Sequence, residues 1–285
     1  MIPIRVIRRR IRSVQSTAKV TRAMEMIAAS KMKQAQQRTL AARPYAEKMR
    51  EVLADVSGKQ QPGDALHPLL QRREVHNIGI VHITPDRGLC GGLNANINKM
   101  TTAFMTEQQV PVSVVAVGKK GREFISRYAG GLIAEFTNIG DKPSLVDTLP
   151  ISRIIMDDYM NGTMDKVYVA YTKFITTVNQ IPVLEELLPV EEPESTNVSA
   201  NVDYIYEPSA AAVLDQLLPR YVEMQIYHAV LESIASEQSA RMVAMRNATD
   251  AAKDMIEELT LQLNKARQEM ITKELLDIAG GIIQE

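Results

Sequence analysis

The residues whose types and spacing invite a chemical reading lie in TPDRGLCGGLNANI (84–97), where Gly88, Gly91 and Gly92 fall between a strand-like run and a helix-like run. A phosphate-binding turn sits at such a junction, because backbone N–H groups and a helix N-terminus together attract an anion. The spacing is neither GxGxxG nor GxxxxGK[ST], and GKKG (118–121) lacks the second pattern as well. Cys90 sits in the same turn, where a helix start lowers a thiol's pKa. A nucleophile needs a base, and His67, His76, His82 and His228 are scattered without forming a dyad with it. Their spacing gives no metal site, and a single cysteine excludes an internal disulfide. The sequence therefore predicts no catalytic residue, no cofactor and no metal. It reads the turn as a tight bend presenting Asp86 and Arg87 to a partner surface.

Charge is the second chemical signal. The first 50 residues hold thirteen Lys/Arg against Glu25 and Glu47, a net +11 in a chain whose total is −1. Such an end calls for an acidic counterpart: nucleic acid, lipid head groups or an acidic protein surface. A solvated face is the plain alternative. Nucleic-acid binding is the sharp one, yet interleaved aromatics and a known binding module are both missing. The opening MIPIRVIRRRIRSVQSTAK has the composition of a transit peptide, but its helical pattern continues past residue 20 with no cleavage-like break.

Long elements must carry these residues. Ile4, Ile7, Ile11, Val14, Ala18 and Thr21 keep the 3-4 spacing of a coiled-coil seam. The stripe then shifts to Val20, Met24 and Ile27, and on to Met32 and Ala35; such a slip changes the supercoil locally. Pro44 is expected to bend or break the helix, and SGKQQPGD (57–64) ends it. From Tyr221 a second heptad runs through Met242, Met245, Thr249, Ala252, Ile256, Leu259, Leu263, Ala266 and Met270, with Gln238 and Lys273 as polar interruptions that set register or mark splaying. Pro219 marks a kink or a helix start. Helices of about 50 and 70 residues run roughly 75 and 105 Å, so they must pair with each other or with partners. The fifteen methionines are seam filler before they are a contact surface.

Between the rods, strand-like runs at 76–83, 110–117, 131–136 and 165–174 alternate with helix-like runs at about 92–108, 119–128 and 144–160, the pattern of a mostly parallel sheet. Residues 175–190 add a hairpin or an edge strand, with Pro182 favouring the edge. EEPESTNVSANVD (191–203) is a loop. No apolar run reaches membrane-span length. The expected organisation is 1–57, N-terminal coiled-coil helix; 75–207, α/β domain; 209–285, C-terminal coiled-coil helix.

Four segments together, IRRRIRSVQSTAKVTRAMEMIAASKMKQAQ (7–36), TPDRGLCGGLNANI (84–97), ASEQSARMVAMRNATDAA (235–252) and ELTLQLNKARQEMITKELLDIAGG (258–281), resemble the signature segments of the F-type ATP synthase gamma subunit family, in its order and over essentially the whole chain. The resemblance implies a mixed α+β and α/β fold: a long antiparallel coiled coil of the N- and C-terminal helices plus a central Rossmann-like α/β domain. It implies a rotating central shaft that couples transmembrane proton or sodium flow to ATP synthesis or hydrolysis on beta subunits, itself non-catalytic. Implied partners are a 3:3 ring of alpha and beta subunits, the epsilon subunit and the c-subunit ring, with no nucleic acid and the membrane met only indirectly.

By position, Lys19, Arg22, Met24 and Glu25 match the segment facing beta's acidic lever loop, and Arg87 and Cys90 the loop approaching the same lever. Arg241, Gln268 and Thr272 match the rotor–stator catch. Ile282 and Ile283 match the bearing tip, and Tyr204, Tyr206 and Glu207 the foot that meets the c ring and epsilon. The single cysteine leaves no room for the regulatory cysteine pair of chloroplast-type relatives. A signature starting within about four residues of Met1 implies an unprocessed bacterial chain at the cytoplasmic face of the plasma membrane. The alternatives are a non-rotary coiled-coil scaffold, a nucleic-acid-binding protein with a basic arm, and a thiol enzyme using Cys90.

Overall fold

A computed structural model of the chain describes residues 3–58, 67–191 and 209–282. The elements are α1 (Ile4–Gly58), a 3-10 turn (Pro68–Leu70), β1 (Ile78–Ile83), α2 (Leu93–Glu107), β2 (Val112–Val117), α3 (Lys119–Phe124) with a π turn (Ile125–Ala129), β3 (Leu132–Phe136), α4 (Leu145–Met160), β4 (Lys166–Phe174), β5 (Gln180–Leu188) and α5 (Ala210–Ile282). The chain forms two compact units. One takes in the described residues of Met1–Ala29 and Arg241–Glu285, the other Ser30–Ala240. Each long helix contributes to both.

The larger unit is built on a five-stranded sheet of order β3-β2-β1-β4-β5. Strands β1 to β4 run parallel to one another, and β5 returns antiparallel along β4, pairing Thr172 with Pro182. Proline has no N–H for a ladder, so its place on an edge strand is the expected one. All six residues of β1 are buried, as a central strand covered on both faces requires. Alternate side chains divide the core. Ile78 and Ile80 pack with Ala170, Met100, Phe104 and Tyr168 on the α2 face. Val81, Ile83, Val115, Val117, Val167 and Val169 pack on the other face with Ile151, Ile155 and Tyr159 of α4, Leu53 and Val56 of α1, and Leu214, Leu218, Val222 and Ile226 of α5. The four-residue spacing of that last set is one stripe of a helix.

Neither proline ends its helix, so the expected break at Pro44 and helix start at Pro219 are corrected. Helix α1 runs through Pro44 unbroken, and α5 starts at Ala210, leaving Pro219 internal. An internal proline frees one carbonyl, four residues back. At Pro44 that carbonyl belongs to Leu40, which is exposed, so water can satisfy it.

A polar cluster lies within the α2 face. His82, fully buried, donates from Nε2 to Asn98 Oδ1 at 2.9 Å and accepts at Nδ1 from the Thr101 hydroxyl at 3.0 Å. Gly121 packs on the ring so closely that a Cβ there would lie 2.6 Å from His82 Cδ2. Burial pushes the imidazole down from 6.5 to about 4, with the Asn98 bond pulling weakly the other way. The unfolded chain therefore binds a proton that the folded chain refuses between those values. Stability is held above pH 6.5 and falls as pH drops toward 4, by on the order of 3 kcal/mol. Urea unfolding at pH 7, 5.5 and 4.5 checks this: His82→Gln should be less stable at pH 7 and lose that part of the slope. Equal slopes in the two proteins would show that His82 titrates normally.

Candidate coupling surface

The smaller unit is a two-helix seam. Thr21 and Thr249 share a hydrogen bond between their hydroxyls at 2.8 Å, and Arg246 Nε donates to Glu25 Oε1 at 3.0 Å. Ascending one helix thus descends the other, and the pairing is antiparallel. Away from this rung, Ile7, Ile11, Val14 and Ala18 on α1, and Ala252, Ile256, Leu259 and Leu263 on α5, are buried or half-buried. The 3-4 spacing continues without a slip through Thr21, Glu25 and Ala28, all buried. The expected shift to Val20 and Ile27 is therefore corrected: both are more than half exposed, as is Met26. Val20, Met24 and Ile27 form a separate apolar stripe at helical spacing beside the seam.

Glu25 is the one acid in this stretch of seam. Its carboxylate also accepts from Arg22 Nη1 at 2.9 Å. The Arg246 hydrogen bond holds the carboxyl below its ordinary value, burial opposes it, and Arg22 adds to the lowering. Both guanidinium groups stay largely in solvent, so their desolvation cost is small and the buried acid is doubly partnered.

The residues matched by position divide sharply. Lys19, Arg22, Arg87, Gln268 and Thr272 are exposed, and Met24 is half-buried. Glu25, Cys90 and Arg241 are buried. Along α5, Thr249 and Gln268 are separated by roughly 28 Å at 1.5 Å per residue, so the Lys19–Glu25 group and the Gln268–Thr272 group occupy different levels of the seam. Met270, expected in the seam from its heptad position, is exposed instead, and Ile271, Leu275 and Leu276, exposed around Gln268 and Thr272, were not singled out from sequence. Their mixed spacing does not separate them from seam residues. The side chain of Ile282 and the whole of Ile283, Tyr204, Tyr206 and Glu207 lie outside the described residues.

The glycine-rich junction is saturated from within. Asp86 accepts from the backbone N–H of Lys119 and of Asn138, each at 3.0 Å. Thr84 Oγ1 accepts from Gly121 N at 2.7 Å, and Lys120 N donates to the Pro85 carbonyl at 3.1 Å. Asp86, half-buried, therefore ties two loops together, a role within the fold that the sequence alone did not show. Three N–H groups of GKKG that would face an anion already have acceptors. Gly118, at φ 92°, brings the backbone so near the Thr84 carbonyl that a Cβ would collide with it. The crevice at the carboxyl ends of such strands is where α/β sheets bind ligands. Here Val230, Ser233, Ile234 and Glu237 of α5 line it, leaving a cavity of about 40 Å³, far below the ~300 Å³ of a small-molecule pocket. Cys90 accepts from Asn94 Nδ2 at 3.5 Å and is buried. Among the described residues no group of His, Cys, Asp and Glu is placed to hold a metal ion.

Removing the seam acid tests the rung. Glu25→Ala should lower the stability of the chain by about 1–3 kcal/mol at pH 7, read from denaturant unfolding. Because the folded carboxyl titrates below the unfolded one, its contribution is present above about pH 4.5 and is lost as pH falls through the folded value. The gap between parent and variant should therefore close on acidification.

Comparison with known proteins completes the site's context. The ATP synthase family model matches residues 3–283. The chain is 64% identical over 281 residues to the ATP synthase gamma chain of Dehalococcoides mccartyi strain 195, covering 99% of this chain and 98% of that one. It is 49% identical to that of Chloroflexus aurantiacus strain J-10-fl, covering 97% of each. In structure it resembles a chain of the central stalk and c-ring of Tetrahymena thermophila mitochondrial ATP synthase, with TM-score 0.61, 26% identity, 80% of this chain and 99% of that one. A chain of the Euglena gracilis mitochondrial ATP synthase, at 20% identity, has the same fold, with TM-score 0.68 over 98% of this chain and 93% of that one. With a seam, a sheet and relatives that agree from one end to the other, this chain belongs to the ATP synthase gamma chain family.

Proposed function

We propose that the chain is the rotating central shaft of an F-type ATP synthase, coupling transmembrane proton or sodium flow to ATP synthesis or hydrolysis on the beta subunits. The observation that carries this is family membership over nearly the whole length, joined to a seam whose outer face is dressed for partners. Val20 and Ile27 stand exposed as an apolar stripe on α1, the helix that also carries the exposed Arg8, Arg9, Arg10, Arg12 and Lys19, and Met255, Leu261, Leu275 and Leu276 stand exposed on α5. An apolar stripe rimmed by cations fits an enclosing ring with acidic loops, which gives the +11 end a protein counterpart. Each angle of a shaft whose faces differ offers each surrounding beta subunit a different set of contacts. Differential contact is what shifts a site between conformations.

The chain is non-catalytic in this reading. The N–H groups and the crevice that could serve a nucleotide are engaged by its own Asp86, Thr84 and α5. Lys19, Arg22 and Met24 meet beta, with Glu25 acting through the arginines it orients. Arg87 and the Cys90 turn meet the same lever. Arg241, Gln268 and Thr272 form the catch, Ile282 and Ile283 the bearing tip, and Tyr204, Tyr206 and Glu207 the foot on the c ring and epsilon. No described helix is long and apolar enough to cross a membrane. The chain sits peripherally, at the cytoplasmic face of a bacterial plasma membrane.

Mixing the chain with alpha and beta subunits of a close bacterial relative should give a 3:3:1 complex with ATPase above that of alpha and beta alone, and none from the chain by itself. Gln268→Ala and Thr272→Ala, exposed and outside the seam, should each lower the stimulated rate by about 3- to 10-fold, ~0.7–1.4 kcal/mol, at unchanged helical content. A folded chain that neither joins nor stimulates the ring would overturn the shaft reading. Full rates in both variants would remove the catch assignment alone.

A further inference from the structure

The signature segment ASEQSAR (235–241) places Ser236, Gln238 and Ser239 on α5, and all three are buried, at 1% exposure or less. Three adjacent polar side chains inside a packed helix need partners, and here each has one in the larger unit. Ser236 Oγ donates to the Thr172 carbonyl at 2.9 Å, and Ser239 Oγ to the Thr177 carbonyl at 2.8 Å. These hold α5 to the β4–β5 hairpin. Gln238 Nε2 turns the other way and donates to Asp141 Oδ1 at 3.1 Å. The second oxygen of Asp141 takes Lys31 Nζ of α1 at 2.6 Å.

Asp141 stands in the loop 137–144, between β3 and α4, and that loop is fixed along its length. Asn138 N donates to Asp86 at 3.0 Å, Ser144 N donates to Asp147 Oδ2 at 2.7 Å, and the Tyr227 hydroxyl of α5 donates to the Pro143 carbonyl at 3.3 Å. One carboxylate on a pinned loop therefore grips both long helices. Apolar packing against the same helices resists separation but is non-directional. Hydrogen bonds with defined distance and angle resist rotation and sliding, and charge-assisted ones do so most.

We propose that Asp141 is a torsional clasp of the shaft: through Lys31 and Gln238 it delivers a turning force on the α/β sheet unit to α1 and α5 together. This rests on the shaft reading above. Asp141 is a positioning residue that touches no substrate. Without it, α5 stays tied by Ser236 and Ser239, whereas the Lys31 arm is lost and the buried Gln238 amide loses its acceptor.

The test uses the assembled alpha–beta ring with the full chain, a bead attached through Ser126→Cys on the exposed π turn, and the ring fixed to glass. The angular variance of the bead during pauses for ATP reports torsional stiffness. Asp141→Ala should widen that variance about 1.5- to 2-fold while ATPase without a bead stays within about twofold of the parent. Lys31→Met should widen it less, and adding Lys31→Met to Asp141→Ala should add nothing. The swap Lys31→Asp with Asp141→Lys, which restores both arms if Gln238 turns its amide, should narrow the variance again, a rescue that loss of packing would not give. If Asp141→Ala fails to assemble, Asp141→Asn keeps an acceptor for Gln238 and should reproduce the Lys31→Met value. A parent bead that rotates with an Asp141→Ala variance equal to the parent's would overturn the clasp alone. A parent bead that never turns on ATP would overturn the shaft reading itself.

Discussion

A single buried carboxylate fixes how the two terminal helices meet. An apolar seam alone is tolerant: sliding one helix past another by a heptad replaces one set of methyl contacts with a similar set. Glu25 cannot slide that way. Moved off Arg246 it would sit buried with half its partners gone, at a cost several times that of a lost methyl contact. Thr21 and Thr249, bonded one turn away, add a second position that matches in one register only. The register then decides everything on the outer face. It leaves Val20 and Ile27 facing out and keeps Lys19 and Arg22 in solvent. A surface that must present different contacts at different angles needs such a fixed register.

The α/β unit follows the same logic with its own polar groups. Its parallel strands, glycine-rich junction and helix-flanked sheet are the framework on which other proteins hold nucleotides. Fold does not determine function, and the difference lies in a few atoms. Asp86 and Thr84 supply internally the oxygens that a phosphate would bring, and α5 lies where a ligand would lie. A cradle closed by its own side chains is stiff and independent of any ligand concentration. That suits a body through which force passes.

Most of the fold was legible from periodicity. The four expected strands lie within two residues of their observed bounds, Pro182 marked the edge, and the α5 heptad from Met242 to Leu263 is the buried face. The errors share one cause, that a pattern reports residue type and not occupancy. Val20 and Ile27 are apolar and correctly spaced, so they imitate a seam, while the true seam continues past Thr21 through Glu25, which is charged and imitates a surface. Proline breaks helices in general, yet α1 continues through Pro44, and the carbonyl it frees belongs to the exposed Leu40. Asp86, next to an exposed arginine in a turn, reads as a surface acid, and only the tertiary approach of Lys119 and Asn138 shows that it is consumed. The contacts of Asp141 were invisible for the same reason. Lys31 and Gln238 lie 110 and 97 residues away from it in the chain.

The polar residues of the two long helices are therefore best understood by what they forbid. Leucine or methionine at Glu25, Ser236, Gln238 and Ser239 would match or exceed them in burial energy, since buried polar groups at best break even with well-packed apolar ones. What apolar side chains cannot do is make a rotated or shifted arrangement costly. At Glu25 the polar choice forbids a slipped register within the coil. At Ser236, Gln238 and Ser239 it forbids α5 from turning against the sheet unit. A static scaffold would gain little from either restraint. An element that carries torque loses work at every place where it can slip, and the buried hydroxyls, amide and carboxylate stand where slipping would otherwise be cheapest.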